Sequence, residues 1–205
     1  MIPKVKLRKL LFLTFLLGSI FFACASHNFL KVHYRLPSQS EALKGLTVYL
    51  SFKDMRPNKM FLTGNAKKEL KNFSETFSLI VSQDNKPGNL LGAYDVSSLF
   101  MEIFKQRLEN SGVAVAANKD QADAVIGIGL KTFLLDLKGR KWILALNYQT
   151  NIVKDQYIAS TQAFSGNAER LRVVGAGDAE KIISDLLTDM LNKLDLEKLF
   201  RDAGL

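Results

Sequence analysis

Residues 124–153 read AVIGIGLKTFLLDLKGRKWILALNYQTNIV, two long runs in which apolar and polar residues alternate. Alternation of this kind is typical of strands that bury one face and expose the other. The segment 136–140, DLKGR, separates the runs and favours a hairpin. We therefore expect strands over 124–135 and 141–153, followed by a third strand over 157–165, in an antiparallel meander.

The apolar positions of the two runs predict their buried faces. In the first run these positions are Ile126, Ile128, Leu130 and Leu134, and in the second run they are Trp142, Leu144, Leu146, Tyr148 and Ile152. Gly127 and Gly129 lie between apolar positions of the first run. Glycines inside a strand favour the close approach of another element, which is what we expect here.

Two helices flank the meander in the sequence. Apolar residues at helical spacing predict a helix over 96–108, with Asp95 as N-cap and Gly112 as the C-terminal stop. A leucine-rich stripe predicts a long final helix over 179–200, with Asp178 as its N-cap.

Shorter strands precede the meander. Clean alternation predicts one over 46–53, and weaker patterns predict others around 77–81 and 113–117, with a loop over 83–92. The pattern as a whole predicts a single α+β domain over residues 45–205. Its mostly antiparallel sheet has about five strands and is packed by two helices.

The N-terminus has the three blocks of a secretory signal peptide, which we place at residues 1–23. The first nine residues are basic, with Lys4, Lys6, Arg8 and Lys9 and no acidic residue. Residues 10–22, LLFLTFLLGSIFF, are almost entirely apolar. This apolar run is too short to cross roughly 30 Å of hydrocarbon as a stable helix, so a permanent transmembrane anchor is the weaker interpretation.

Cys24 is the only cysteine of the chain and follows the signal peptide directly. The run Phe21-Phe22-Ala23-Cys24 resembles the bacterial lipobox, in which a cysteine after a small residue receives a diacylglyceryl group. It departs from that pattern at Phe21, where a leucine is usual. The alternative is an incidental cysteine beside an ordinary cleavage site. Ala25, in place of an aspartate, resembles the lipoproteins sorted to the outer membrane of Gram-negative bacteria.

Residues 24–44 have little periodicity, and we expect them to form a tether that begins at the lipidated cysteine. Both histidines, His27 and His33, fall in this segment. A flexible segment does not hold an imidazole in catalytic geometry, so we expect solvated linker histidines.

The remaining composition gives no sign of an enzyme or of a nucleic-acid-binding protein. The formal charge of +8 comes from 28 basic and 20 acidic residues, and four of the basic ones belong to the signal peptide. We expect no catalytic residues, no cofactor and no metal site. The carboxylates considered as catalytic candidates are Asp54, Asp123, Asp136 and Asp178. They fall at expected turns and caps, which explains them without catalysis. We expect Asp54 and Arg56 to form a structural pair at a turn.

A lysine-rich segment follows the first predicted strand. Lys59, Lys67, Lys68 and Lys71 alternate with Phe61 and Phe73. A solvated surface loop is the favoured interpretation, and contact with anionic lipid or nucleic acid is the alternative.

Residues 45–200 resemble the YajG family of Gram-negative lipoproteins. The resemblance rests first on a strand that ends in Asp54-Met55-Arg56 and on a helix that ends in the stretch Arg107-Leu108-Glu109-Asn110-Ser111-Gly112-Val113. It rests further on Gln121-Ala122-Asp123-Ala124 before a long strand, on a strand that carries Trp142, and on the leucine-rich final helix. The order of elements is also similar to auxiliary lipoproteins of envelope ABC transporters and to CsgG-type periplasmic domains. The resemblance implies a periplasmic domain anchored in the outer membrane, and it implies no reaction.

These observations predict a non-enzymatic lipoprotein on the inner leaflet of the outer membrane that faces the periplasm. Its expected partners are the membrane, through the lipid anchor, and another cell-envelope component, and we expect no nucleic acid. The alternative is an auxiliary lipoprotein of a transport or secretion system that holds a lipid or apolar ligand between sheet and helices.

The lipid anchor gives the first test. The full chain, expressed in a Gram-negative host with a palmitate analogue, is expected to take up label because the lipobox-like cysteine is acylated, and Cys24→Ser is expected to lose it. A soluble, unlabelled protein in the periplasm for both chains contradicts the anchor.

Overall fold

The computed structural model describes residues 28–84 and 86–205. The signal peptide, Cys24 and His27 lie outside these residues, so the predictions made for them remain predictions. The described strands are β1 (Asn28–Leu36), β2 (Thr47–Asp54), β3 (Phe73–Gln83), β4 (Asn89–Tyr94), β5 (Ala114–Ala116), β6 (Ala124–Lys138), β7 (Lys141–Lys154) and β8 (Tyr157–Leu171). The described α-helices are α1 (Gly64–Glu69), α2 (Val96–Glu109), α3 (Ala176–Asn192) and α4 (Leu196–Asp202).

The strands form two sheets, with the order β1-β3-β4 in the smaller and β5-β2-β6-β7-β8 in the larger. The α+β class is confirmed, and so is the meander, since β6, β7 and β8 pair antiparallel in sequence. Both sheets are mixed, because β1 pairs parallel with β3 and β2 pairs parallel with both β5 and β6. The expected single sheet of five strands was therefore too simple, because strands far apart in sequence pair with one another.

A β-bulge at Lys131 changes the buried face of β6. The pairing with β7 shifts between Leu130 and Thr132, so the alternation is offset by one residue from there onward. Phe133 is therefore fully buried, and Leu134, which the regular alternation predicted to be buried, is only half-buried. The predicted buried face of β7 is confirmed along its whole length.

Helix α2 fills the space between the two sheets. Asp95 caps it as predicted, since its side chain accepts a hydrogen bond from the Ser98 amide at 2.7 Å. Phe100 packs edge-on against Phe133 of β6, and Phe104 packs edge-on against Tyr148 of β7. The sequence-predicted apolar face of this helix is buried and forms the centre of the core.

Helix α3 satisfies the free edge of β1 through a row of polar side chains. Lys31 N donates to Glu180, His33 N to Ser184 and Arg35 N to Thr188, at 3.0, 3.0 and 3.3 Å. At the end of the row the Asn192 amide donates to the Arg35 carbonyl at 2.9 Å, and its oxygen accepts from the Tyr34 hydroxyl. The helix residues of this row are four positions apart. The strand amides that they bond, at Lys31, His33 and Arg35, are two positions apart.

The spacing of this row has a simple physical origin. Four helix residues advance about 6 Å along the axis, and two strand residues advance about 6.6 Å. A helix parallel to a strand edge therefore presents a polar side chain to each outward-facing backbone group over several turns. We call these four side chains, Glu180, Ser184, Thr188 and Asn192, the α3 polar row.

The tether predicted over residues 24–44 is wrong from residue 28 onward. Leu30, Val32 and Tyr34 of β1 are buried, and His33 lies exposed on the same strand. The connection after β1 is also bound to the domain, since Ser40 N donates to the Asn110 carbonyl at 3.0 Å. The described domain therefore includes β1, which pairs with a strand distant in sequence.

Three further predictions need correction. The final helix is interrupted between Asn192 and Leu196, where Asp195 starts α4 as a new N-cap. Asp178 is not the N-cap of α3, because Gly175 occupies that position. The predicted loop over 83–92 contains the first residues of β4, whose pairing with β3 is irregular.

Along the part of the chain that the structure describes, no helix has both the length and the apolar character needed to cross a bilayer.

The α3 polar row predicts a measurable loss of stability. Ser184→Ala leaves the His33 amide without its acceptor in a part-buried site, which is expected to lower the free energy of unfolding by about 1 kcal/mol. Chemical denaturation followed by circular dichroism measures the change. The matched control is Ser165→Ala on the exposed side of β8, expected to stay within about 0.5 kcal/mol of wild type. Equal effects of the two changes would show that the row does not stabilise the edge.

Candidate functional site

Asp54 and Arg56 form a bidentate ion pair where β2 ends. Arg56 Nε and Nη2 donate to the two carboxylate oxygens of Asp54, each at 2.9 Å, and the Arg56 amide donates to the same carboxylate at 3.1 Å. The side chains are only 7% and 15% exposed for Arg56 and Asp54. Arg56 Nη1 also reaches the Met60 carbonyl at 3.4 Å. The pair therefore fixes the turn that leads away from the sheet.

The electrostatics of this corner favour the ionised carboxylate. The hydrogen bond from Arg56 lowers the pKa of Asp54 below its ordinary value, against the opposing effect of burial. A cavity of about 210 Å³ lies beside the pair, lined by Met60, Phe133 and their neighbours. This volume is below the roughly 300–1,000 Å³ of ordinary small-molecule sites, so the pair is better suited to holding the turn than to catalysis.

The other carboxylates predicted at turns bind backbone or hydroxyl donors in separate places. Asp123 accepts from the Thr47 amide at 2.8 Å, and Asp136 accepts from the Leu137 amide and from the Thr63 hydroxyl. Asp178 accepts from two backbone amides of the preceding loop, and these bonds lower its pKa. Among the described residues, His, Cys, Asp and Glu form no cluster suited to a metal ion.

A buried polar layer, which the sequence did not suggest, lies between α2, α3 and the sheets. The Tyr148 hydroxyl donates to the Met190 carbonyl at 2.9 Å, and the Tyr34 hydroxyl donates to Asn192. Burial raises the pKa of both tyrosines well above the ordinary range. Arg107 approaches the two rings and donates to Ser111 at 2.7 Å, and its Nε is buried without a hydrogen-bond partner. The layer therefore joins the helices to the sheets.

Three of the sheet edges are short, irregular or covered. The α3 polar row covers β1, and β4 has six residues with a register shift in its pairing. Strand β5 has three residues, and the part of β2 beyond it ends at the Asp54–Arg56 corner. Short strands, irregular pairing and covering by another element each discourage a sheet edge from pairing with another chain.

The fourth edge, β8, is long, and its pairing with β7 has one register shift near Ile158 and is regular from Ser160 to Leu171. The strand has fifteen residues, with the sequence YIASTQAFSGNAERL, and contains neither proline nor lysine. Only β7 pairs with it in the described structure. Large apolar side chains are exposed at both of its ends, since Tyr157 is 77%, Ile158 66% and Leu171 60% exposed. We call this surface the β8 edge.

The sheet face that adjoins the β8 edge is lined by small and polar side chains. Asn147, Gln149 and Asn151 of β7 pair with serine, alanine and threonine of β8. Gly127 and Gly129 of β6 continue the face, and the predicted close approach at these glycines is confirmed. A Cβ atom on Gly127 would collide with the Asn151 amide, and one on Gly129 would lie 2.9 Å from Met55 Sδ. The face therefore presents small side chains and hydrogen-bonding groups beside the β8 edge.

The described fold is similar to that of one solved bacterial protein at low sequence identity, and two others superpose with lower scores. Protein XCC0632 from Xanthomonas campestris, of the family DUF330, superposes with a TM-score of 0.50 and 13% identity, over 87% of this chain and all of that one. A homolog of the neuraminyllactose-binding hemagglutinin from Helicobacter pylori has a TM-score of 0.41 and 11% identity, over 82% and 91% of the two chains. A minor lipoprotein from Acinetobacter baumannii has a TM-score of 0.31 and 10% identity, over 77% and 91%.

These similarities concern the fold alone. No family model and no curated protein matches the chain. Membership of the YajG family therefore stays a prediction.

The Asp54–Arg56 pair predicts a specific stability defect. Arg56→Ala leaves a largely buried carboxylate without its partner and is expected to lower the free energy of unfolding by about 3 kcal/mol at neutral pH. The control is Arg35→Ala, whose partner Asp185 is 43% exposed, with an expected loss below about 1 kcal/mol.

The same pair predicts a pH dependence. Because the folded-state pKa of Asp54 is lowered, its stabilising effect is present above its unfolded value of about 4 and is lost as the pH falls through the folded value. Denaturation curves of wild type and Asp54→Asn are therefore expected to differ at neutral pH and to converge in acid. A difference that stays constant with pH would contradict this account.

Proposed function

We propose that this chain is a lipid-anchored, non-enzymatic lipoprotein of the cell envelope that binds another envelope protein through the β8 edge. The lipid is attached to Cys24, and the domain faces the periplasm from the inner leaflet of the outer membrane. No cofactor takes part, and nucleic acid is not a partner.

The anchor is supported by the order of residues at the N-terminus. A basic segment and a thirteen-residue apolar run precede Ala23 and the only cysteine of the chain. Several acyl chains on that cysteine would give the durable anchoring that one chain does not. The pattern after the cysteine, with Ala25, is the basis for placing the protein on the outer membrane.

The binding function is carried by one observation, the long β8 edge with no further strand paired to it in the described structure. A long strand edge presents a row of backbone donors and acceptors that pairs readily with an extended segment of another chain. The other edges are short, irregular or covered by α3, whereas β8 pairs regularly with β7 from Ser160 to Leu171 and with no other strand in the described structure. Side chains of the adjoining polar face would then determine which segment binds.

Storage of an apolar ligand between sheet and helices has less support. The phenylalanines of that region pack on one another, with ring centroids of Phe61 at 4.7 Å from Phe133 and 5.0 Å from Phe77. Ring pairs at these distances are typical of a close-packed core.

Site-specific photo-crosslinking in cells tests the β8 edge. A photoreactive amino acid at the exposed position Thr161 of the full chain is expected to give discrete adducts, because the partner strand lies beside it. Ala163→Lys in the same chain is expected to abolish most of the adducts, since an added charge opposes strand pairing.

Strand β4 provides the matched control. Ala93 is also an exposed alanine on an edge strand, so Ala93→Lys should leave the Thr161 adducts unchanged. An adduct with twice the mass of the chain would identify a second copy as the partner, and another mass would identify a different protein. Adducts that are insensitive to Ala163→Lys, or equally sensitive to both changes, contradict the proposal.

A further inference from the structure

The domain begins very close to the expected lipid anchor. β1 starts at Asn28, so only three residues separate Cys24 from the folded domain. Even a fully extended chain spans no more than about 14 Å between these two positions. With a lipid on Cys24, the end of the domain where β1 starts would therefore be held beside the bilayer.

Contacts between elements show which residues share this end. Asn28 pairs with Phe73 at the start of β3, and the Phe73 amide donates to the Leu70 carbonyl after α1. Glu69 of α1 forms an ion pair with Arg172 at 2.5 Å. The Arg172 amide in turn donates to the Arg140 carbonyl in the turn between β6 and β7. The α1–β3 connection, the β6–β7 turn and the loop after β8 thus form one surface, which we call the anchor end.

The anchor end is positively charged. Five exposed basic side chains lie on it and take part in none of the ion pairs of the described residues, namely Lys67, Lys68, Lys71, Lys138 and Arg140. Its acidic residues Glu69 and Glu169 are already paired with Arg172 and Lys141, and Glu75 is exposed nearby.

Apolar side chains project from the same surface. Val173 and Val174, in the loop after β8, are 77% and 75% exposed. Their amides both donate to the Asp178 carboxylate, at 2.6 and 2.5 Å, so the backbone of the loop is satisfied while its side chains remain in solvent. Exposed valines next to a cluster of lysines match the chemistry of a lipid headgroup layer.

We propose that the anchor end docks on the bilayer, with Val173 and Val174 inserted at the level of the headgroups and the lysines on anionic headgroups. The inference rests on the proposed lipid anchor at Cys24. Docking would give the domain one orientation, in which β8 runs from Leu171 at the membrane to Tyr157 away from it. The β8 edge would then be accessible to a periplasmic partner along its length.

Fluorescence quenching on vesicles tests this orientation. The full chain with Val173→Cys is purified in the membrane-anchored form, labelled with an environment-sensitive fluorophore, and reconstituted into vesicles of phosphatidylethanolamine and phosphatidylglycerol. Spin-labelled lipid is expected to quench this fluorophore strongly. The same label on Asp120→Cys, at the opposite end of the domain beside the start of β6, is expected to show little quenching. Equal quenching at both positions, or none at residue 173, overturns the docking.

A charge-matched pair of variants tests the role of the lysines. Lys68→Glu with Lys71→Glu is expected to lose most of the quenching at residue 173, as are vesicles of phosphatidylcholine alone. The control, Lys119→Glu with Lys198→Glu, makes the same charge change at the opposite end and should retain the quenching. Loss with both pairs would contradict a local role of the anchor end.

The state of Cys24 separates this inference from the proposed function. An acylated Cys24 has no free thiol, so wild-type chain should not react with the fluorophore, and its intact mass should include the lipid. Reaction of wild type with the fluorophore would contradict the anchor. A lipid-bearing chain without quenching at residue 173 would contradict docking alone.

Discussion

Strand β1 lies at the outer edge of the smaller sheet, and its unpaired backbone groups meet the α3 polar row in place of another strand. Buried backbone donors without acceptors are costly, so β1 is stable in this position only when α3 lies parallel to it. Helix α3 also packs on β7 and β8 with its apolar side, and the Tyr148 hydroxyl bonds the Met190 carbonyl at the end of the helix. One helix thereby joins the two sheets and sets the position of the N-terminal strand.

The position of β1 has consequences at both sides of the molecule. Because only three residues lie between Cys24 and the strand, a lipid anchor at Cys24 would leave no long spacer before the domain. Because α3 covers β1 and the edges at β4 and β5 are short, the long strand edge that pairs with no further strand among the described residues is that of β8. The two proposed contacts, with the membrane and with a protein partner, thus occupy different surfaces.

Much of the fold was predictable from local pattern. The helix α2, its Asp95 cap, the strand β2 and the three strands of the meander follow the predicted order, because each has strong periodicity and its own turn signals. The pair of Asp54 and Arg56 lies two residues apart, so its contact depends only on a local turn. β1 has the alternation Leu30, Val32, Tyr34 and Leu36, a signal that would have identified it as a strand and placed His33 on its exposed face.

The sequence by itself determined the α+β class and the identity of most buried faces, since these depend on periods of two or about 3.6 residues. It also predicts the secretory segment that precedes the single cysteine. Only the tertiary structure decided the features that depend on contacts between residues distant in sequence. These are the parallel pairing of β1 with β3, the division into two sheets, and the grouping of Lys67, Lys68 and Lys71 with Val173 and Val174. It also decided which edge remains open. An unpaired edge is a property of the assembled sheet, because every strand has the same backbone donors and acceptors until its neighbours are in place.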